Sequence, residues 1–376
     1  MMTITSTSRI SLFLVFAFLF SLTAACFFGL LPVRVVRAQD PQETVAVGDV
    51  TRTFVVHRPL GYDSKQHYPV VILLHSLNQD SEDMAHLSHF NEVADRFGII
   101  AVYPNALHRW NVGVSLEQPT QPMARRGMGG RGGGMRFPGG GYPGSGWPGG
   151  SGQGQGQDPN QGQGQQGRQQ QAPPADDLAF FNAMLDKLST EYSVDSTRIY
   201  ATGLSDGGFM DFRVACAMAD RITAVAPVGA EMPKYLYCTP ARPVPVLMIN
   251  GTSDPVVSYG GGSGRPGSYL RLSAVNSAKD WGQLDGCNEK PQRTTIHPSA
   301  KKGMETRVET YDGCHQGAMV TLESIEGGGN TWPDGEQYLD EKTIGKTSKD
   351  LNADEVIWKF FQAYRLPAPA PAAPAH

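Results

Sequence analysis

The stretch that decides the fold is RIYATGLSDGGFMDFRVACAMA, residues 198–219. An apolar strand, RIYAT, runs straight into Gly203-Leu204-Ser205-Asp206-Gly207, and a helix-compatible run, FMDFRVACAMA, follows. The pentapeptide matches G-x-S-x-G, a pattern that chance alone produces often. The strand before it and the helix after it give it meaning, because strand, sharp turn and helix together make a nucleophile elbow. The glycines answer a steric need, since a turn this tight leaves no room for bulk beside the serine. Such a turn lifts the Ser205 hydroxyl to a helix N-terminus, where backbone N–H groups favour negative charge.

Outward from the elbow the chain alternates strand and helix signals. YPVVILLHS (68–76), GIIAVYPN (98–105), ITAVAPVGA (222–230) and VPVLMINGTSD (244–254) are continuous apolar runs of the kind that form strands buried on both faces. TVAVGDVTRTFVVHRP (44–59) reads as two strands about a Gly-Asp turn, and RVETYDG with MVTLESIEGG as a late strand pair. Glu82 to Phe97 carries helical spacing. A helix capped by Asp176 or Asp177 presents Phe180, Phe181, Met184, Leu185 and Leu188 on one stripe. A closing helix over DEVIWKFFQAY turns Val356, Ile357, Phe360 and Phe361 inward. The class expected is α/β, in a single domain with a mostly parallel sheet.

Two segments and a tail stand apart from that domain. Arg9 precedes an apolar run from Ile10 to Val33, and Val36-Arg37-Ala38 before Gln39 is an acceptable signal-peptidase site. Residues 1–38 therefore read as a cleaved signal peptide, with a retained anchor or lipidation at Cys26 as the alternatives. Each exports the body, to a secreted or periplasmic location, and a membrane contact follows only if the segment is retained. The body runs over 39–117 and 175–366. Between its halves, 118–174 is a Gly/Gln-rich insert that cannot bury a core and is expected to be disordered. Residues 367–376 are a Pro/Ala-rich tail. The formal net charge of −4 gives no reason to expect a nucleic-acid partner.

In an oxidising compartment Cys216, Cys238, Cys287 and Cys314 read as two disulfides. Pairing neighbours, Cys216 with Cys238 and Cys287 with Cys314, is the simplest of three connectivities. No CxxC pair points to zinc, and neither a metal nor a cofactor is expected. Asp254 ends an apolar strand at its C-terminal end, where open α/β sheets place their sites, and it is the candidate acid. The backbone N–H of Asp206 and one from Ser76 or Leu77 are the candidate oxyanion donors.

The segments VVILLHS, YPNAL with the Trp after it, DDLAFFNAMLDKL, YSVDSTRIYATGLSDGGFM, PVPVLMINGTSDPVVSYGGG and GGGNTWPDG, in this order, resemble the secreted polyhydroxybutyrate depolymerase/feruloyl esterase family. The resemblance covers the body apart from the insert. It implies an α/β-hydrolase fold with helices on both sheet faces, Ser205 as nucleophile, Asp254 as acid, and two disulfides from the four late cysteines. It also implies an ester substrate of plant-polysaccharide or polyester type. Two positions depart from the family pattern: His75 is followed by Ser76 where Gly is usual, and Asn330 stands where the family carries its catalytic histidine.

An asparagine amide cannot take a proton from serine at neutral pH. A substitute base would have to come from His75, His108, His297 or His315, with His75 and His108 ahead; His57, His67, His86 and His89 read as surface or packing residues, and His376 ends the tail. The function expected is an exported serine carboxylic-ester hydrolase impaired by Asn330. The alternative is an inactive pseudo-esterase that binds an acyl or glycan ligand. Trp110 and Trp332, and with them Trp281, are candidates to pack on an aromatic acyl group or a sugar ring, with burial in the core as the alternative.

Overall fold

In a computed structural model, residues 40–114, 175–263, 268–298 and 303–367 are described. The signal-peptide, insert and tail expectations lie outside these residues, apart from Pro367 at the start of the tail. The chain divides into two contact units, Met1–Asp40 and Pro41–His376, and the fold below is that of the second.

Ten strands form one sheet in the order β1-β2-β4-β3-β5-β6-β7-β10-β9-β8. They are β1 Gln42–Val47, β2 Val50–His57, β3 Tyr68–Leu74, β4 Ile100–Pro104, β5 Val194–Leu204, β6 Ala224–Val228, β7 Val246–Gly251, β8 Gln292–Ile296, β9 Thr306–Tyr311 and β10 Val320–Ile325. The six strands from β4 to β10 along this order are mutually parallel, and antiparallel strands flank them on both sides. This is the α/β-hydrolase sheet, extended beyond β10 by the β8–β9 hairpin.

The apolar runs are unbroken because both faces are covered. Along β3, Val70, Ile72 and Leu74 enter one core, while Val71 and Leu73 enter the other. That is the two-residue period of a strand. The first core is closed by α3 (Asp177–Glu191), α4 (Asp206–Ala217) and α5 (Ala274–Leu284). The second is closed by α1 (Ser81–Ser88), α2 (Phe90–Phe97) and α7 (Ala353–Phe361), while α6 (Glu341–Ile344) is a single turn. Among the described residues no helix is long and apolar enough to cross a membrane.

Several local expectations are met. Gly48 turns β1 into β2 at φ 58°, and the Asp176 carboxylate accepts the Ala179 N–H at the start of α3. Others need correction. The helical spacing of 82–97 is two helices, because His89 sits in the left-handed region at φ 59° and ends one while starting the next. The closing helix buries Ile357, Trp358 and Phe361, and leaves Val356 and Phe360 half-buried. The strand β8, QRTTI, is exposed along its whole length and carries no alternation to announce it; its polar side chains suit a sheet edge.

Disulfides join Cys216 to Cys238 and Cys287 to Cys314, over sequence separations of 22 and 27 residues. The first ties the C-terminal end of α4 to the loop before β7. The second ties the segment after α5 to the turn after β9. Loops of this length contribute about 3 kcal/mol each by restricting the unfolded chain.

Candidate active site

Strand β5 ends at Leu204, and Ser205 adopts φ 55°, ψ −107° before α4 begins. This conformation is one that side chains avoid, and here the surroundings enforce it. The Ser205 N–H donates to Val228 O at 2.8 Å, and its carbonyl accepts the Phe209 N–H at 3.0 Å as the first helical bond. Gly207 is required, since a Cβ there would collide with the Leu74 carbonyl oxygen of the neighbouring strand. Helix α4 has no side-chain N-cap, so its first N–H groups, Asp206 among them, face the cleft without intrahelical acceptors.

The Asp206 carboxylate is occupied elsewhere. It accepts Arg109 Nη2 at 2.7 Å and the Trp110 N–H at 3.0 Å, which pins the loop after β4 over the elbow. Trp110 in turn donates its indole N–H to His75 O at 2.9 Å, and Tyr269 donates its hydroxyl to Trp110 O at 3.2 Å.

Beside the elbow lies the turn after β3. The Ser76 N–H donates to Gln79 Oε1 at 3.1 Å. Of the two backbone donors expected here, only the Leu77 N–H has no acceptor among the described residues. Ser76, Leu77, Ser205, Asp206 and Asn330 all line one cleft of about 330 Å³.

Asp254 follows β7 and is almost wholly buried. Its Oδ1 accepts the N–H groups of Val256 and Val257, each at 2.7 Å, and its Oδ2 accepts Asn330 Nδ2 at 2.7 Å. Burial lifts the carboxyl to about 6, against the pull of those three donors and of Arg271. Asn330 comes from the loop after β10, and its second amide hydrogen goes to Gly229 O at 3.1 Å. Both partners are obligate acceptors, so the amide orientation is fixed: Nδ2 faces Asp254, and Oδ1 faces away from it. Gly229, at φ 56°, is the glycine this approach demands, because a Cβ there would lie 2.8 Å from Asn330 Nδ2.

Among the described residues, none of the histidines that could act as a base lines the cleft with Ser205. His75 is buried, its Nδ1 lies 2.8 Å from Ser76 O, and its Nε2 receives the Ala106 N–H at 3.0 Å. A carbonyl must accept and an amide must donate, so the ring is held as the neutral Nδ1–H tautomer with no lone pair to offer Ser205. Burial also lowers its pKa. His108 is exposed, and His297 is an exposed partner of Glu305. His315 precedes β10, at the end of that strand opposite Asn330.

The pocket walls need correction. Trp110 and Trp332 are fully buried core residues and do not line the cleft. Trp110 stacks on Phe181 with ring centroids 5.7 Å apart, and Trp332 gives its indole N–H to Asp354 Oδ1 at 2.9 Å. Each tryptophan finds an acceptor inside the fold, so neither needs solvent. The cleft is walled instead by Leu77, Phe209, Val256, Val257, Leu339 and Ile344, with Arg109, Arg271 and Tyr338 among its polar groups. Sequence reasoning missed all three of those. Arg271 is held by a buried pair with Glu231 at 3.2 Å, and Tyr338 donates its hydroxyl to Asn330 O at 3.1 Å.

No protein-family model matches the chain. In sequence it is similar to feruloyl esterase B of Piromyces equi, with 35% identity over 175 residues, covering 44% of this chain and 31% of that protein. It is similar to feruloyl esterase D of Neurospora crassa, with 31% identity over 191 residues, covering 50% of this chain and 56% of that protein. The matches thus span from about a third to somewhat over half the length of these relatives. Among solved structures it is similar to the acetyl xylan esterase from Aspergillus awamori, with a TM-score of 0.46 and 12% identity over 86% of this chain and 99% of that one. The sheet order is that of an α/β-hydrolase fold, and in sequence the chain is similar to feruloyl esterases.

Proposed function

We propose that this protein is an exported carboxylic-ester hydrolase of feruloyl- or acetylxylan-esterase type whose turnover is limited by Asn330. Ser205 is the nucleophile that forms an acyl-enzyme, and Asp254 is the acid of the former triad. The N–H groups of Leu77 and Asp206 stabilise the oxyanion. Ser76, the other donor expected from the sequence, is spent on Gln79. The observation that carries the reading is the pair Asn330–Asp254: the acid is still bonded to the residue that stands where the relatives' histidine is expected. Loss of the base in a serine hydrolase costs on the order of 10⁶ in turnover, while the oxyanion hole and binding keep a residue of the rate. A feruloyl-type ester as substrate is supported by the names of the relatives and by the largely apolar cleft, and a plant polysaccharide or polyester as its carrier is what the sequence resemblance implies. Export is supported by the two disulfides.

One observation favours the second reading, a pseudo-esterase that binds an acyl or glycan ligand without turning it over. Both amide hydrogens of Asn330 are spent on Asp254 and Gly229, and no described histidine replaces it. Time-resolved labelling with a fluorophosphonate separates the two. Labelling of the full chain that Ser205→Ala abolishes supports the hydrolase. A folded protein that stays unlabelled after prolonged incubation supports the binding protein.

A further inference from the structure

Two histidines on the far side of the loop that carries Asn330 have no part in the ester chemistry. His86 stands in the last turn of α1, and His89 is the link between α1 and α2. Glu336 comes from the segment after Trp332. His86 Nδ1 lies 3.3 Å from Glu336 Oε1, and His89 Nε2 lies 3.7 Å from the same oxygen. One ligand atom from each of the three residues falls within 4.8 Å of the other two. We propose that His86, His89 and Glu336 form a zinc site that staples the α1–α2 junction to the loop following Asn330; this inference does not rest on the esterase reading.

The geometry is that of a ligand set already gathered. Zinc takes imidazole nitrogen and carboxylate oxygen at about 2.0–2.1 Å in a tetrahedron, which separates neighbouring ligand atoms by about 3.3 Å. The His86–Glu336 separation equals this, the His89–Glu336 separation is slightly longer, and the two imidazole nitrogens lie within 4.8 Å of each other, so the exposed side chains have only to turn to close the tetrahedron. The fourth position opens to solvent, since all three residues are exposed, and water fills it. Two imidazoles and one carboxylate suit zinc better than calcium or magnesium, which take oxygen ligands. Without a metal, the same contacts are only solvent-exposed His–Glu pairs, which contribute little.

The backbone holds the three ligands before any metal arrives. His89 is fixed at φ 59° with its N–H on Ala85 O at 3.2 Å. The two imidazole rings lie 30° from parallel, with centroids 6.2 Å apart. The Glu336 N–H donates to Leu87 O at 3.2 Å, which brings the loop onto α1 between the two histidines. Lys349 Nζ donates to Gly335 O at 2.7 Å and to Asp334 O at 3.0 Å, so the approach to Glu336 is also tied. Metal binding then orders three side chains and no backbone. The sequence shows only the three-residue spacing of His86 and His89; Glu336 comes from a segment far away in the chain, and no cysteine pair marks the site.

The test is a zinc titration of the metal-stripped full chain against a chromophoric zinc indicator. One equivalent should bind. His86→Ala, Glu336→Gln and His89→Asn, the last keeping a residue that tolerates the left-handed backbone, should each weaken binding at least about tenfold, the low end of what even outer-shell partners cost. Zinc should raise the thermal midpoint of the unmodified protein, and removal of zinc by EDTA should reverse the rise. In the variants the midpoint should not respond. No stoichiometric binding, or binding that all three substitutions leave unchanged, would overturn the proposal and leave two exposed ion pairs.

Discussion

Asn330 Nδ2 donates to Asp254 Oδ2 at 2.7 Å, and both residues are almost wholly buried beside the cleft. The bond does two things. It satisfies a carboxylate whose burial alone would push it further toward its neutral form. It also keeps the loop after β10 seated on the loop after β7, the relation a base would need in order to be oriented. An asparagine amide donates here but cannot take a proton at neutral pH, so the pair holds the two loops together without supplying a base.

The backbone of Ser205 provides the first prediction. At φ 55°, ψ −107° only glycine is at ease, and strain of this kind costs on the order of 1–3 kcal/mol. Ser205→Ala keeps the strain and Ser205→Gly relieves it, against about 0.5–1 kcal/mol for the greater freedom of unfolded glycine. Urea unfolding should find Ser205→Gly more stable than Ser205→Ala by about 1 kcal/mol. Equal midpoints would mean that the elbow is not strained.

How much of this was legible in the sequence depends on what kind of signal each residue carries. The elbow was, because Gly203 and Gly207 are packing requirements written directly as residue types on either side of Ser205. The strands β3, β4, β6 and β7 were, because burial on both faces demands unbroken apolar runs. The break at His89 was not: the stripe Met84, Leu87, Phe90, Val93, Ala94 keeps its helical spacing through a residue at φ 59°. Trp110 and Trp332 were misread because a large aromatic in a loop looks the same whether it faces a ligand or the core. Arg271 and Tyr338 reach the cleft from loops whose path no periodicity encodes.

Glu323 supplies a pH-dependent prediction. It lies in β10, buried, with Oε2 lacking a partner, and burial raises its carboxyl to about 7. A carboxyl whose folded pKa lies above its unfolded value favours the fold while protonated. That contribution is complete below about pH 4, near the unfolded pKa, and is lost as pH rises through 7. Glu323→Gln removes the dependence. The stability of the variant relative to the unmodified protein should rise by about 2 kcal/mol between pH 5 and pH 8, read as a pH-dependent gap between their unfolding midpoints. A gap that does not change with pH would show that Glu323 does not titrate in this range.

The margins of the Gly/Gln-rich insert are tied to each other. Asn111 Nδ2 donates to Ala175 O at 2.7 Å, and the Asn111 N–H donates to Asp177 Oδ2 at 2.7 Å. A short bridge can replace what lies between, and shortening a long loop changes its closure entropy only slightly. Deleting 121–171 should leave the thermal midpoint within about 5 °C, which for a domain of this size corresponds to about 2–3 kcal/mol. A larger fall would mean that the insert packs on the body.

The sharpest prediction is Asn330→His. In histidine the Nδ1 atom is as far along the side chain as Nδ2 in asparagine, so an imidazole can place Nδ1–H on Asp254 Oδ2 where the amide hydrogen now lies. The rest of the ring then extends into the cleft, which Asn330 and Ser205 share. Asp254 holds the tautomer that leaves Nε2 free to take the Ser205 proton. Hydrolysis of p-nitrophenyl acetate should rise at least about a hundredfold, the low end of what a general base contributes. Ser205→Ala in that background should abolish the gain. A folded Asn330→His protein that gains nothing would mean that the cleft has lost more than its base, and binding of an acyl or glycan ligand would become the better reading. An unmodified protein already as fast as the variant would mean that Ser205 is activated by a group other than residue 330, and His75→Ala and His108→Ala would then identify it.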